Sequence, residues 1–94
     1  MKVIWSPTAV DAAERIRTRL AEFSSLAVDR FTEGLEERIL LIAEFPLSGR
    51  VVPEYGLPLL REAIVGQYRI IYEVFPDRIE IVTVRSGRQL MPQQ

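Results

Sequence analysis

Five side chains have the types and placement for chemistry on an anionic group: Glu54, Arg61, Arg69, Arg85 and Arg88. An arginine guanidinium is planar, keeps its charge, and offers paired N–H donors that match a phosphate or a carboxylate. Arg69 stands between Tyr68 and Ile70 in a strand-like run, either as a target contact or as a strand arginine paired with Glu62 or Glu73 across a sheet. Arg61, next to Glu62, carries the same two readings. Arg85 and Arg88 flank Ser86-Gly87, where a backbone free to turn presents two guanidinium groups together. The plain alternative is a flexible basic tail. Glu54 is a solvated loop carboxylate unless its position in an unusually long loop gives it a role. Tyr72 shares a strand face with Ile70 and Val74 and reads as core.

Composition narrows the chemistry further. The 94 residues contain neither cysteine nor histidine. Disulfides, thiol catalysis and cysteine-held zinc or iron-sulfur sites are therefore excluded, and so is the usual general acid or base near neutral pH. Any catalysis falls to carboxylates, tyrosines, serines or arginines, and no cofactor or metal is expected. The net charge of −1 argues against a general nucleic-acid binder. It hides a division: residues 1 to 47 carry six cations and eight anions, and residues 48 to 94 carry six arginines and five acids. Genomic base composition is the bland explanation for arginine over lysine. The opening Met1-Lys2-Val3-Ile4-Trp5 is too short for a secretory apolar region, and no apolar run approaches the ~20 residues of a membrane span. A soluble, cytoplasmic protein is the expectation.

The elements that must position these residues follow from periodicity. Lys2 to Trp5 reads as a short strand, and Ser6-Pro7 as a helix cap followed by proline at the first helical position. Ala9, Ala12, Ala13, Ile16, Leu20 and Phe23 recur at helical spacing, with Glu14, Arg15, Arg17 and Arg19 off that stripe, so a helix is predicted from Pro7 to Phe23. Ser24-Ser25 caps a second helix whose buried face is Phe31, Leu35, Ile39 and Ile42, and Pro46 closes it. Gly34 in its middle is expected to pack against the small alanine face of the first helix.

Pro46 to Pro58 is the long irregular segment. Leu60 to Val65, Tyr68 to Phe75 and Arg78 to Arg85 then form an antiparallel meander, turning at Gly66-Gln67 and Pro76-Asp77. The order is β-α-α-β-β-β in one α+β domain, residues 1 to 94, with a helix hairpin on a small antiparallel-rich sheet. Tyr68, Ile70, Tyr72 and Val74 face one side; Arg69, Ile71, Glu73 and Phe75 face the other. The hairpin covers one face, and the other is expected to stay in solvent with Arg61, Arg69 and Arg85 converging on it. Leu90 and Met91 form an apolar tip that docks on the helices or on a partner.

These residues, in this order, resemble the RelE/ParE superfamily of toxins from type II toxin-antitoxin systems. The resemblance spans essentially the whole chain. It is carried by Trp5-Ser6-Pro7 with Ala9, Pro46-Leu47-Ser48-Gly49-Arg50, Arg61-Glu62, Tyr68-Arg69-Ile70-Ile71-Tyr72 and Ile79 to Val84. It implies growth arrest, plasmid stabilisation and neutralisation by a cognate antitoxin; a small core with exposed apolar stripes leaves the sheet's polar face or the helix-hairpin groove open to that antitoxin, as a helix in a groove or an added strand. It also implies one of two targets: ParE-like members inhibit DNA gyrase, and RelE-like members are ribosome-dependent endoribonucleases that cleave mRNA. Cleavage through a 2′-hydroxyl needs a base, an acid and cations on the phosphorane.

By resemblance Arg69 matches the strand arginine of the nucleases, Arg61 the first of their two lysines, with Ala63 at the second, and Arg88 their C-terminal arginine, one residue out of step. Glu54 is the remaining candidate base, since some ribosome-dependent members place a glutamate after the Gly-Arg loop. Their C-terminal tyrosine, or histidine-tyrosine pair, has no counterpart here, while Ser86-Gly87-Arg88 is similar to the histidine-glycine-arginine of many ParE-like chains. The comparison favours a gyrase inhibitor with Arg61, Arg69, Arg85 and Arg88 as contacts. A nuclease, or a degenerate toxin serving as an antitoxin-binding corepressor, stands beside it.

Overall fold

In the computed structural model, which describes residues 1–92, both helices begin at a serine cap. The first strand, β1 (Lys2–Trp5), leads into Ser6, whose Oγ accepts the Ala9 N–H at 3.0 Å and satisfies a donor left open in the first turn of helix α1 (Pro7–Ala21). The same hydroxyl donates to the Val82 carbonyl at 2.9 Å, tying the helix start to the last strand. Ser24 caps α2 (Ser25–Glu44) in the same way, through the Ala27 N–H. α1 stops at Ala21 rather than Phe23, because the chain must turn before Ser24; Phe23 is left 80% exposed, outside the buried stripe expected for it.

Past Pro46 the chain makes a two-residue strand, β2 (Arg50–Val51), inside the segment expected to be irregular throughout. Then come β3 (Leu60–Val65), β4 (Tyr68–Val74) and β5 (Arg78–Ser86). The sheet order is β1-β5-β4-β3-β2. β2 through β5 pair antiparallel, and β1 closes the far side parallel to β5. The fold is α+β, two helices on a five-stranded mixed sheet, in the expected order with the short β2 added between α2 and the meander.

One face of the sheet carries the main core. Ala9, Ile16, Phe31, Leu35 and Ile42 from the helices meet Ile70, Tyr72, Ile79, Ile81 and Val84 from the strands. Each large apolar side chain so buried contributes very roughly 1.5 to 3 kcal/mol. A bulge in β5 interrupts the alternation: Ile71 faces Thr83 while Tyr72 faces Ile81, leaving Val82 as the extra residue whose carbonyl Ser6 takes. Gly34 is needed for a different neighbour than expected. A Cβ there would sit 2.7 Å from Val65 Cγ1, so the close approach is to β3 and not to the alanine face of α1.

The opposite face is not open to solvent, which corrects the expectation for it. Val52, Ile71 and Met91 form a second, smaller core there, with Tyr55, Leu60 and Val82 around it. The loop after β2 and the chain following β5 fold back over the strands. Met91 thus docks on the sheet rather than on the helices, and its neighbour Leu90 stays 70% exposed.

Candidate functional site

Arg69 lies on the central strand β4, opposite Ile64 of β3 and Arg85 of β5. Alternation points it at the face covered by the loop and the C-terminal segment, so it has to find partners in a place shut off from water. It does. Its Nε donates to Glu62 Oε2 at 2.5 Å, and Nη1 and Nη2 grip both oxygens of Glu54 at 2.8 and 2.9 Å. A fourth bond runs from Nη1 to the Gln89 carbonyl at 3.1 Å. Only 4% of the side chain is exposed. The forked geometry suits a bidentate carboxylate, which lysine could not match.

The network continues at both ends. Glu62, fully buried on β3, also accepts from Arg50 Nε of β2 at 2.6 Å. Glu54 accepts the Met91 backbone N–H at 2.8 Å, and the Tyr55 hydroxyl donates to the Pro92 carbonyl. Two cations and two anions therefore alternate across the sheet and hold down the loop and the C-terminal segment. Buried charge in such a setting persists only when it is paired and hydrogen-bonded. The Arg69 guanidinium, with the Met91 N–H second, holds the Glu54 carboxyl well below its usual range, from 4.5 to about 2. The two carboxylates in turn raise the affinity of Arg69 for its proton.

This arrangement revises the readings of single residues. Arg69 is the paired strand arginine, with Glu62 and Glu54 as partners; Glu73 is not one of them. Glu54 is no solvated loop carboxylate, since its side chain is only 10% exposed. Arg61 does not join Arg69: it pairs with Tyr72 in register and so points to the other side of the sheet. There its Nε donates to the Pro58 carbonyl at 2.7 Å and Nη1 to the Gly49 carbonyl at 3.1 Å, closing the base of the long loop. The Tyr72 hydroxyl reinforces that closure, accepting from the Gly49 N–H at 2.9 Å and donating to the Pro46 carbonyl at 2.7 Å. Tyr72 is core, as its strand face implies.

Arg85 and Arg88 are of another kind. Neither has a carboxylate partner among the described residues. Arg85 reaches the Leu90 carbonyl through Nη1 at 3.4 Å, while its buried Nε has no hydrogen-bond partner among the described residues. Arg88 is exposed in the turn after β5. Sequence reasoning missed Arg50 as the outer partner of Glu62. It also missed Arg15 and Arg19, which line a cleft of about 400 Å³ shared with Arg85 between α1 and β5. Their i, i+4 spacing off the apolar stripe was the available signal. Among the described residues no group of three or more acidic, histidine or cysteine side chains could hold a metal ion.

Comparison with known proteins agrees with this fold. Residues 3–91 match the family model described as the ParE toxin of type II toxin-antitoxin system, parDE. Over 90 residues the chain is 31% identical to the Toxin RelE2 of Caulobacter vibrioides, covering 95% of this chain and 98% of that protein. A solved chain from the chromosomal ParDE TA system from P. aeruginosa superposes with a TM-score of 0.74 at 14% identity, over 92% of this chain and 95% of that one. The YoeB/ParE toxin from Agrobacterium tumefaciens gives 0.66 at 17% identity, over 92% and 98%. At those identities the two structures speak to fold alone.

Proposed function

This chain belongs to the ParE toxin family of type II toxin-antitoxin systems, and from that premise we propose that it arrests growth by binding a protein target, DNA gyrase, without hydrolytic chemistry of its own. The family implies an antitoxin partner, and we propose that this antitoxin neutralises it. The observation that carries the reading is the closed pair of Arg69 and Glu54. A nuclease needs a base whose proton affinity suits neutral pH and cations turned toward the scissile phosphate. Here the base candidate is bonded on both oxygens and acidified to about 2, and the cation candidate is turned inward. A carboxylate so acidic is a weak base at neutral pH. Arg85 and Arg88, at the end of the last strand, meet no carboxylate among the described residues, and are the residues proposed to engage the target.

Growth arrest on induction without antitoxin tests this. Glu54→Gln is expected to leave toxicity nearly intact, while Arg85→Ala with Arg88→Ala abolishes it, with soluble protein verified for each. A nuclease would instead lose about 10²- to 10⁴-fold in cleavage with Glu54→Gln. Loss of toxicity in Glu54→Gln, with the arginine pair dispensable, would replace the gyrase reading by ribosome-dependent mRNA cleavage. A supercoiling assay on purified gyrase, run beside primer extension on translated messages, identifies the target directly.

A further inference from the structure

The two ends of the sheet differ in chemistry. At one end Val65 pairs with Tyr68 and Tyr68 with Ser86, beside Arg85 and Arg88; at the other, Leu60 pairs with Glu73 and Val74 with Ile79. Five large apolar side chains gather at this second end, each 50 to 55% exposed: Met1, Phe45, Leu47, Leu57 and Leu59. Bonds from separate parts of the chain bring them together. The Met1 amine donates to the Ala43 carbonyl at 2.8 Å in the last turn of α2, and the Ser48 N–H to the Phe45 carbonyl at 2.9 Å. Arg61 donates from Nη1 to the Leu47 carbonyl at 3.5 Å and from Nε to the Pro58 carbonyl, so the two ends of the long loop meet at one guanidinium. Leu59 follows directly, its carbonyl accepting the Val74 N–H at 2.8 Å.

We infer that this end is the contact face of a twofold dimer with a second copy of this chain. Phe45 to Gly49 and Tyr55 to Leu60 contain no charged residue, so two copies meet here without like-charge repulsion. The arginines nearby are already occupied: Arg61 by backbone carbonyls, Arg78 by Asp77, Glu80 and the ring of Phe75. That leaves little for a nucleic acid or an acidic protein to grip. Lys2 and Glu44, exposed beside Met1 and Ala43, form no ion pair among the described residues. One cation and one anion on the same rim are self-complementary about a twofold axis, where Lys2 of each copy meets Glu44 of the other. The five half-exposed side chains offer on the order of 400 to 500 Å² per copy, the size of patch that marks an interaction site on a small protein. Two such patches bury roughly 800 to 1,000 Å², at the low end for specific interfaces, so the dimer is a weak one with Kd in the micromolar range. Arg85 and Arg88 of both copies stay uncovered at the far end of the sheet, and the inference holds whichever target the toxin engages.

The test is sedimentation equilibrium of the full chain across a concentration series spanning the micromolar range. The wild-type chain is expected to pass from monomer to dimer. Leu47→Glu with Leu59→Glu places four carboxylates in the contact and is expected to weaken the dimer by at least about a hundredfold, with circular dichroism checking that the fold is kept. Lys2→Glu alone sets two carboxylates against each other and is expected to weaken it by about tenfold, and the exchange Lys2→Glu with Glu44→Lys to restore it, a rescue that a misfolded variant would not show. A chain that stays monomeric throughout the series would overturn the proposal. So would a dimer indifferent to Leu47→Glu with Leu59→Glu, or a charge exchange that fails to rescue. A monomeric wild type whose binding to antitoxin or gyrase is lost with the leucine substitutions would assign the face to that partner and overturn the dimer. Failure of the dimer leaves the gyrase reading untouched, because that reading is measured by supercoiling and growth arrest.

Discussion

Replacing Arg69 by methionine keeps most of the side-chain volume and removes the cation that two carboxylates share. Glu62, with no exposed side-chain surface, would keep only Arg50, itself 66% exposed, and Glu54 would keep only the Met91 N–H. Breaking a buried ion pair by deleting one partner costs about 3 to 5 kcal/mol, since an uncompensated charge stays behind. The lower end applies here, because the loop around Glu54 can loosen and let water in. About 3 kcal/mol is a large share of the roughly 5 to 15 kcal/mol that stabilises a domain of this size. At about 4 to 8 °C per kcal/mol it lowers Tm by about 12 to 24 °C. Urea and thermal unfolding followed by circular dichroism measure this directly. The triple variant Arg69→Met, Glu54→Gln, Glu62→Gln removes the stranded charges and is expected to recover much of the loss. A cost below about 1 kcal/mol for Arg69→Met would refute the view that this network holds the covered face together.

Two further outcomes rest on the same geometry. Because the folded Glu54 carboxyl is held near 2 against a usual 4.5, its stabilisation is complete above about pH 4.5 and is lost as the pH falls toward about 2; urea midpoints across that window are expected to fall, and Glu54→Gln to flatten the decline. Gly49→Ala would bring a Cβ to 2.5 Å from the Glu62 carbonyl and 2.6 Å from the Tyr72 hydroxyl; the expected cost is roughly 2 to 3 kcal/mol in the same unfolding assay, and a neutral result would contradict the close packing at the loop base.

The helices, the meander and the burial of Tyr72 are legible in the chain because they depend on local order. Ser6-Pro7 and Ser24 start helices through contacts three residues away, and the period of 3.6 or 2 sorts Ile16, Leu35 and Ile70 to the inside without reference to anything distant. The neighbours of each face lie beyond that horizon. Glu54 joins Arg69 across 15 residues and Met91 across 37, so no window of sequence reveals that the arginine face is roofed over. Periodicity put Arg69 on the second face correctly; only the folded chain, by returning the loop and the segment after β5 across that face, turned an expected contact residue into the centre of an ion network. The same holds for Arg61, which cross-strand register places on the other side of the sheet. It holds too for Gly34, whose neighbour Val65 comes from a strand 31 positions later. Arg15 and Arg19 show the converse: their spacing is plain in the sequence, but only tertiary packing brings Arg85 of β5 into one cleft with them.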